Sequence, residues 1–187
     1  MSGLFVCLIH YPVLDRNGRV VTAAITSLDL HDIARSARTY GVQAMYVVHP
    51  VASQREFALR VIDHWRLGYG RLYDSRRREA LELIEVVPDL EGALRASESV
   101  AGVAPLLVYT SARASGGVSC AQLRAHLDSA TSLPLMLMFG TGFGLAPVMR
   151  ERADLVLNAI RGPGDYNHLS VRAAAGIILD RLVGRER

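Results

Sequence analysis

The chain has 187 residues, half of them hydrophobic, with a formal net charge of +3 and a pI near 9.1. That length and apolar content suit a single domain with a sizeable core, and the mild basicity excludes a chromatin-type binder. No apolar run reaches the length of a membrane span, and Met1 to Ile9 lack the charged start and long apolar stretch of a signal peptide.

Leu4 to His10 reads as a buried strand, closed by Tyr11-Pro12. Asp15-Arg16-Asn17-Gly18 is a turn signal, and Val20 to Thr26 an extended stretch. Together they form a hairpin-like extension before Ser27. A helix over Leu30 to Tyr40 follows, with its start near Ser27 and its stop at Gly41. Ala44 to His49 is the next strand, and Ser53 to Leu67 a helix with Phe57, Val61 and Trp65 on one face. Residues 68–74 are expected as a loop, and Arg76-Arg77-Arg78 begins a polar segment leading to Leu81. A strand over Leu83 to Val87, a helix over Asp89 to Ser97 and a strand over Pro105 to Thr110 come next. The helix from Ser119 to Ala130 takes its cap from Ser119. Strands over Leu133 to Phe139 and Asp154 to Ile160 flank a short helix, Leu145 to Arg152, and the last helix covers Leu169 to Val183. Strand and helix alternate about six times. This predicts an α/β fold with a mostly parallel sheet flanked by helices.

The glycine-rich loops after the last two strands organise the chain. One is Gly140-Thr141-Gly142-Phe143-Gly144, the other Gly162-Pro163-Gly164. Glycine lets backbone N–H and C=O groups approach a ligand closely, and two such loops at the carboxyl ends of neighbouring strands make a cofactor pocket. Taken singly, each loop is equally well an ordinary tight turn. All 21 basic residues are arginine, whose planar fork can bond two phosphate oxygens. With only Cys7 and Cys120, neither a disulfide framework nor a zinc site is expected, and a reducing cytoplasm is the simplest compartment.

Three motifs resemble the SPOUT, or α/β-knot, methyltransferases, in particular their SpoU-like branch. The first is Asp32-Ile33-Ala34-Arg35-Ser36-Ala37-Arg38-Thr39-Tyr40-Gly41-Val42. The second is Met138-Phe139-Gly140-Thr141-Gly142-Phe143-Gly144-Leu145, and the third Ile160-Arg161-Gly162-Pro163-Gly164 followed by His168-Leu169-Ser170-Val171-Arg172. The runs His10-Tyr11-Pro12-Val13, Leu30-His31-Asp32, His64-Trp65 and Gly68-Tyr69-Gly70 are similar to a small group of predicted S-adenosylmethionine-dependent RNA methyltransferases. The resemblance implies one α/β-knot domain over 1–187, with an extension over 1–26 and a trefoil knot over about 105–187. It also implies S-adenosylmethionine as cofactor, a homodimer, and RNA (transfer or ribosomal) as methyl acceptor. The branch's polar residues are replaced here by Asp29, Thr141, Gly142, His168 and Ser170, so the usual ribose hydroxyl target is in doubt.

On this resemblance Tyr109, Thr110, Gly140, Thr141, Gly142, Ile160, Gly162, Gly164, His168, Leu169 and Ser170 are the cofactor-binding candidates. Arg35 and His168 are the catalytic ones. Arg35 positions the acceptor electrostatically, since a guanidinium rarely loses its proton. His168 acts as general base, an imidazole titrating near neutrality. The plain alternatives are a helix arginine paired with Asp32 or Asp29, and a histidine capping the last helix. Arg38, Arg71, Arg76 and Arg77, with Arg66 and Arg78, are candidates for RNA phosphates, and Trp65, Tyr69 and Tyr73 for stacking on bases. A solvated charged face is the alternative there. The rival functions are a catalytically inactive knotted RNA- or cofactor-binding protein and a dinucleotide-binding enzyme. Against the latter, no Gly-x-Gly turn follows the first strand.

Overall fold

A computed structural model describes residues 3–185. Six parallel strands form one sheet: β1 (Leu4–Ile9), β4 (Ala44–Val48), β5 (Ile84–Val87), β6 (Leu106–Tyr109), β7 (Leu135–Gly140) and β8 (Leu155–Val156), in the order β5-β4-β1-β7-β6-β8. Strand β7 lies between β1 and β6, with Leu135 opposite both Leu4 and Leu106. Side chains alternate between the faces of a strand. Val6 and Leu8 enter one apolar cluster, while Phe5, Cys7 and Ile9 enter another across the sheet. Both faces are covered, which is why the strands read as continuous apolar runs. Burial pushes the Cys7 thiol pKa far up, leaving it an inert core group.

On the first face lie α1 (Ser27–Thr39), α2 (Ala52–Arg66), α4 (Ser75–Leu81), α6 (Cys120–Asp128) and α8 (Val171–Val183). On the second lie α5 (Leu90–Ala101), α7 (Pro147–Glu151) and the small antiparallel sheet of β2 (Val13–Leu14) and β3 (Val20–Val21). The hairpin expected before residue 27 is therefore a separate sheet, not part of the main one. Helix α1 starts one residue earlier than a Ser27 cap would set it. The Thr26 hydroxyl accepts from the Asp29 amide at 3.2 Å and donates to Asp29 Oδ2 at 2.7 Å. Ser119 caps α6 as expected, in a reciprocal capping box with Gln122.

Two expectations are corrected. The segment predicted as a loop contains α3 (Gly70–Tyr73), and the arginine run lies in α4. Burial drives this. Gly70 sits so close to Trp65 that a Cβ would lie 2.7 Å from the indole, and Arg77 stacks 4.7 Å over the same ring. Asp74 caps α4 by accepting from the Arg77 amide. The second correction is β8, which spans two residues rather than seven and is separated from β7 by β6. Beyond Val156 the edge is held by backbone bonds from Leu157 to Tyr109 and from Asn158 to Val118, reinforced by a side chain. Gly117 N–H donates to Asn158 Oδ1 at 2.9 Å, and Asn158 Nδ2 donates back to the Gly117 carbonyl at 3.0 Å.

That exchange fixes the loop after β6 against the segment after β8. Asn158→Ala removes both bonds and should cost about 1–3 kcal/mol of stability. Amide exchange should accelerate at Val118 and Ala159 in particular. Leu8→Ala, in the fully buried centre of β1, should cost about 2–5 kcal/mol with no such local signature. Urea unfolding and hydrogen exchange separate the two.

Candidate active site

Because all six strands are parallel, their carboxyl ends share one edge of the sheet, where ligands bind in open α/β folds. A cleft of about 910 Å³ opens at the β7-β6-β8 end of that edge. Its walls are the segments after β6 (Thr110 to Arg113), β7 (Phe139 to Gly144) and β8 (Leu157 to Arg161), with Asn167 to Arg172 leading into α8. Asp29 of α1 completes it. The loops are tied to one another. Thr110 Oγ1 donates to the Met138 carbonyl at 2.7 Å, Ala159 N–H to the Ala114 carbonyl at 3.1 Å, and Asn167 Nδ2 to the Ala112 carbonyl at 2.9 Å.

Eight of the cofactor-binding candidates line this cleft: Thr110, Gly140, Thr141, Gly142, Ile160, His168, Leu169 and Ser170. Tyr109 stops one position short, inside β6, and Gly162 and Gly164 lie in the exposed part of the loop. Ser170 instead caps α8, its hydroxyl accepting from the Ala173 amide at 3.2 Å. The glycines differ in purpose. Gly142 takes φ 60°, a left-handed conformation costly for side chains, and a Cβ on Gly140 would lie 2.6 Å from the Leu145 nitrogen.

Arg35 is exposed on α1 and outside the cleft lining, and has no ion pair among the described residues. Asp29 and Asp32 are taken by Arg172, a motif residue to which no role attaches from sequence alone. Arg172 Nη1 lies 2.8 Å from Asp29 Oδ1, and its Nε 3.4 Å from Asp32 Oδ2. Two carboxylates three positions apart on α1 were the available signal; their partner stands about 140 positions further on. His168 is exposed in the cleft wall, edge-on to Tyr166.

The expected RNA arginines divide. Arg77 pairs with Asp74 at 3.6 Å and covers Trp65, so that indole is not open for stacking. Arg38 faces Glu79 at 3.7 Å, Arg78 faces Glu82 at 3.5 Å, and Arg66 donates to the carbonyls of Leu81, Glu82 and Ile84. Arg71 and Arg76 are exposed and unpaired among the described residues, beside the exposed Tyr69, Leu72 and Tyr73.

Under the cleft floor lies His10, fully buried at the end of β1. Its Nδ1 stands 3.5 Å from the Thr141 hydroxyl, which itself donates to the Ile9 carbonyl at 3.2 Å. Burial, then the neighbouring His49, lowers its pKa to about 4, against an opposing pull from Asp29.

This architecture defines a class. The S-adenosylmethionine complex of the SpoU methyltransferase AviRb from Streptomyces viridochromogenes matches 97% of this chain and 57% of that one, with a TM-score of 0.60 at 20% identity, a likeness of fold. Over residues 3–184 the chain matches the family model described as SAM-dependent RNA methyltransferase, and it belongs to that family. It is 42% identical over 182 residues to a protein of Nitratidesulfovibrio vulgaris named tRNA (guanine-N(1)-)-methyltransferase; the match covers 97% of this chain but 42% of that relative. A protein of Aquifex aeolicus without an assigned function is 38% identical across the whole chain and 91% of its own length. Among the described residues no helix is long and apolar enough to cross a membrane.

The cleft suits the family's cofactor. Ile160, Leu169 and Val171 offer apolar surface for an adenine ring, and the backbone of Gly140 and Ile160 with the Thr110 and Thr141 hydroxyls offers polar contacts.

Two outcomes follow. Arg172→Met leaves Asp29, a 6% exposed carboxylate, without its cation. Because Arg172 is partly exposed, the expected loss is about 1–3 kcal/mol; thermal melting would register it. His10 is neutral in both folded and unfolded chains above its ordinary pKa of 6.5. Below that the unfolded chain takes up a proton that the folded one refuses, so stability falls from about pH 6.5 down to about 4. The share from this group is on the order of 3 kcal/mol, and His10→Asn should flatten the loss across that window.

Proposed function

We propose that this chain binds S-adenosylmethionine in the cleft at the β7-β6-β8 edge and methylates a transfer RNA as a homodimer of one knotted domain per subunit. The observation that carries the reading is the cleft itself, assembled from three cross-tied loops within the region that the family match spans. The bonds joining the segment after β8 to the loop after β6 support a threaded C-terminal path. Transfer RNA is favoured by the name of the Nitratidesulfovibrio relative; more than half of that protein lies outside the match, so guanine N1 is its attribute as a whole.

When bound, the cofactor supplies an electrophilic methyl group on a sulfonium. The backbone of Gly140, Gly142, Ile160 and Leu169 holds it, helped by the Thr110 and Thr141 hydroxyls. The chain's own part is to hold the acceptor beside that group, so that the transfer is positioned and not a chance encounter. His168 stands in the wall to take the acceptor's proton on a ring nitrogen. Arg35, outside the lining, is a fixed positive charge for the RNA strand and not a cofactor ligand.

The test is calorimetric titration with S-adenosylmethionine, followed by methyl incorporation into unmodified transfer RNA. Binding with turnover is expected. His168→Ala should lower kcat by about 10²-fold or more with unchanged cofactor affinity. Arg35→Ala should act on RNA turnover alone. Absence of cofactor binding overturns the reading, and binding without transfer to any cellular RNA assigns the chain to the inactive class.

A further inference from the structure

The cleft is larger than a cofactor site needs to be. At about 910 Å³ it lies near the top of the roughly 300–1,000 Å³ range of small-molecule pockets, so room remains beside the cofactor. The charges on its walls are unbalanced. Asp29 and Arg172 neutralise one another at 2.8 Å. Arg113 and Arg161 also line the cleft, both are exposed, and neither guanidinium has a partner among the described residues.

These two arginines are held at one seam. Arg113 lies between Ala112 and Ala114, whose carbonyls accept from Asn167 Nδ2 and from Ala159 N–H, and Arg161 follows Ala159 by two positions. Two unpaired forks on loops tied to each other are suited to an anionic oxygen group.

The loop after β7 brings to the same cleft an aromatic ring with no burial to explain it. Phe143 lines the cleft and is 55% exposed. Its backbone is pinned by the hairpin: Phe143 N–H donates to the Leu14 carbonyl at 3.0 Å, and Leu14 N–H to the Gly144 carbonyl at 2.9 Å. Gly142 at φ 60° and Gly144 at φ 107° set the turn on either side. An apolar ring held outward on a fixed loop is a platform for a base.

We propose that Arg113, Arg161 and Phe143 form the acceptor-nucleotide subsite: the two guanidiniums take a backbone phosphate of the RNA, and Phe143 stacks on the base presented to the methyl group. This rests on the methyltransferase reading above. The anionic group has one other source, the carboxylate of the cofactor, and the two are separable.

Binding of fluorescently labelled bulk transfer RNA is measured by anisotropy between 50 and 200 mM salt, roughly the span over which phosphate contacts weaken. Cofactor affinity is measured by calorimetry, for the full chain and for Arg113→Gln, Arg161→Gln and Phe143→Ala. Each arginine variant should weaken RNA binding at low salt and flatten the log–log salt slope by about 0.7–0.9. Cofactor affinity should stay within about twofold. Phe143→Ala should weaken RNA binding about fivefold or more at an unchanged slope, and Phe143→Trp should retain it. All three side chains are exposed, so folding is not at stake. Unchanged RNA affinity and slope overturn the subsite. So does weakened cofactor binding with normal RNA binding, which gives the arginines to the cofactor carboxylate. A wild-type chain that binds RNA but no cofactor fails the function proposed above while leaving the RNA measurements decisive for the subsite.

Discussion

Strand β7 is the joint on which the molecule depends. It pairs with β1 on one side and β6 on the other, and those two do not pair with each other. Remove it and the sheet falls into β5-β4-β1 and β6-β8. The pairing is long in sequence, Leu4 against Leu135, so the chain loses much loop entropy before this strand returns any contact. Its burial supplies the compensation: Leu135 to Met138 are fully buried, with Phe139 nearly so. Because β7 enters parallel to its neighbours, its carboxyl end and the glycine loop beyond it arrive beside the ends of β6 and β8. The cleft is a consequence of that insertion.

A second constraint closes the cleft on its helical side. Arg172, in the first turn of α8, reaches Asp29 and Asp32 on α1. Asp29 is simultaneously tied to its own helix cap through Thr26. The N-terminal turns of the two helices are thus linked by one guanidinium, and both contribute to the cleft lining. Beneath, the buried and unprotonated His10 stands against Thr141, so an uncharged polar contact rather than an ion supports the floor.

The arginines illustrate how little a charge count says about use. Arg66 and Arg124 donate to backbone carbonyls, the latter to Asp180, Arg181 and Gly184 at the end of α8. Arg77 covers an indole and Arg172 links two helices. These side chains are structural. Arg35, Arg71, Arg76, Arg113 and Arg161 are among the arginines that remain exposed with no ion pair among the described residues, and only such unpaired groups are open to an outside anion.

Much of the fold was legible because periodicity and punctuation are local. Doubly covered strands read as apolar runs, caps such as Ser119 and stops such as Gly41 sit where helix ends need them, and the strand–helix alternation implies a parallel sheet. The cleft's glycine loops were legible for the same reason. What the tertiary structure decided is everything that depends on partners distant in sequence. The turn at Gly70 packs directly on Trp65, whose other contact is Arg77 of α4, a partner that local spacing does not reveal. Strand β8 is short because past Val156 its backbone turns from β6 to the returning loop, bonding Val118 and Ala114, with the Asn158 amide clamping Gly117. Strand order, which sets β6 between the two glycine-loop strands, leaves no trace in local pattern. The same holds for the arginines: a guanidinium is neutralised or free according to which carboxylate or carbonyl the fold brings within about 3 Å, a distance no spacing along the chain encodes.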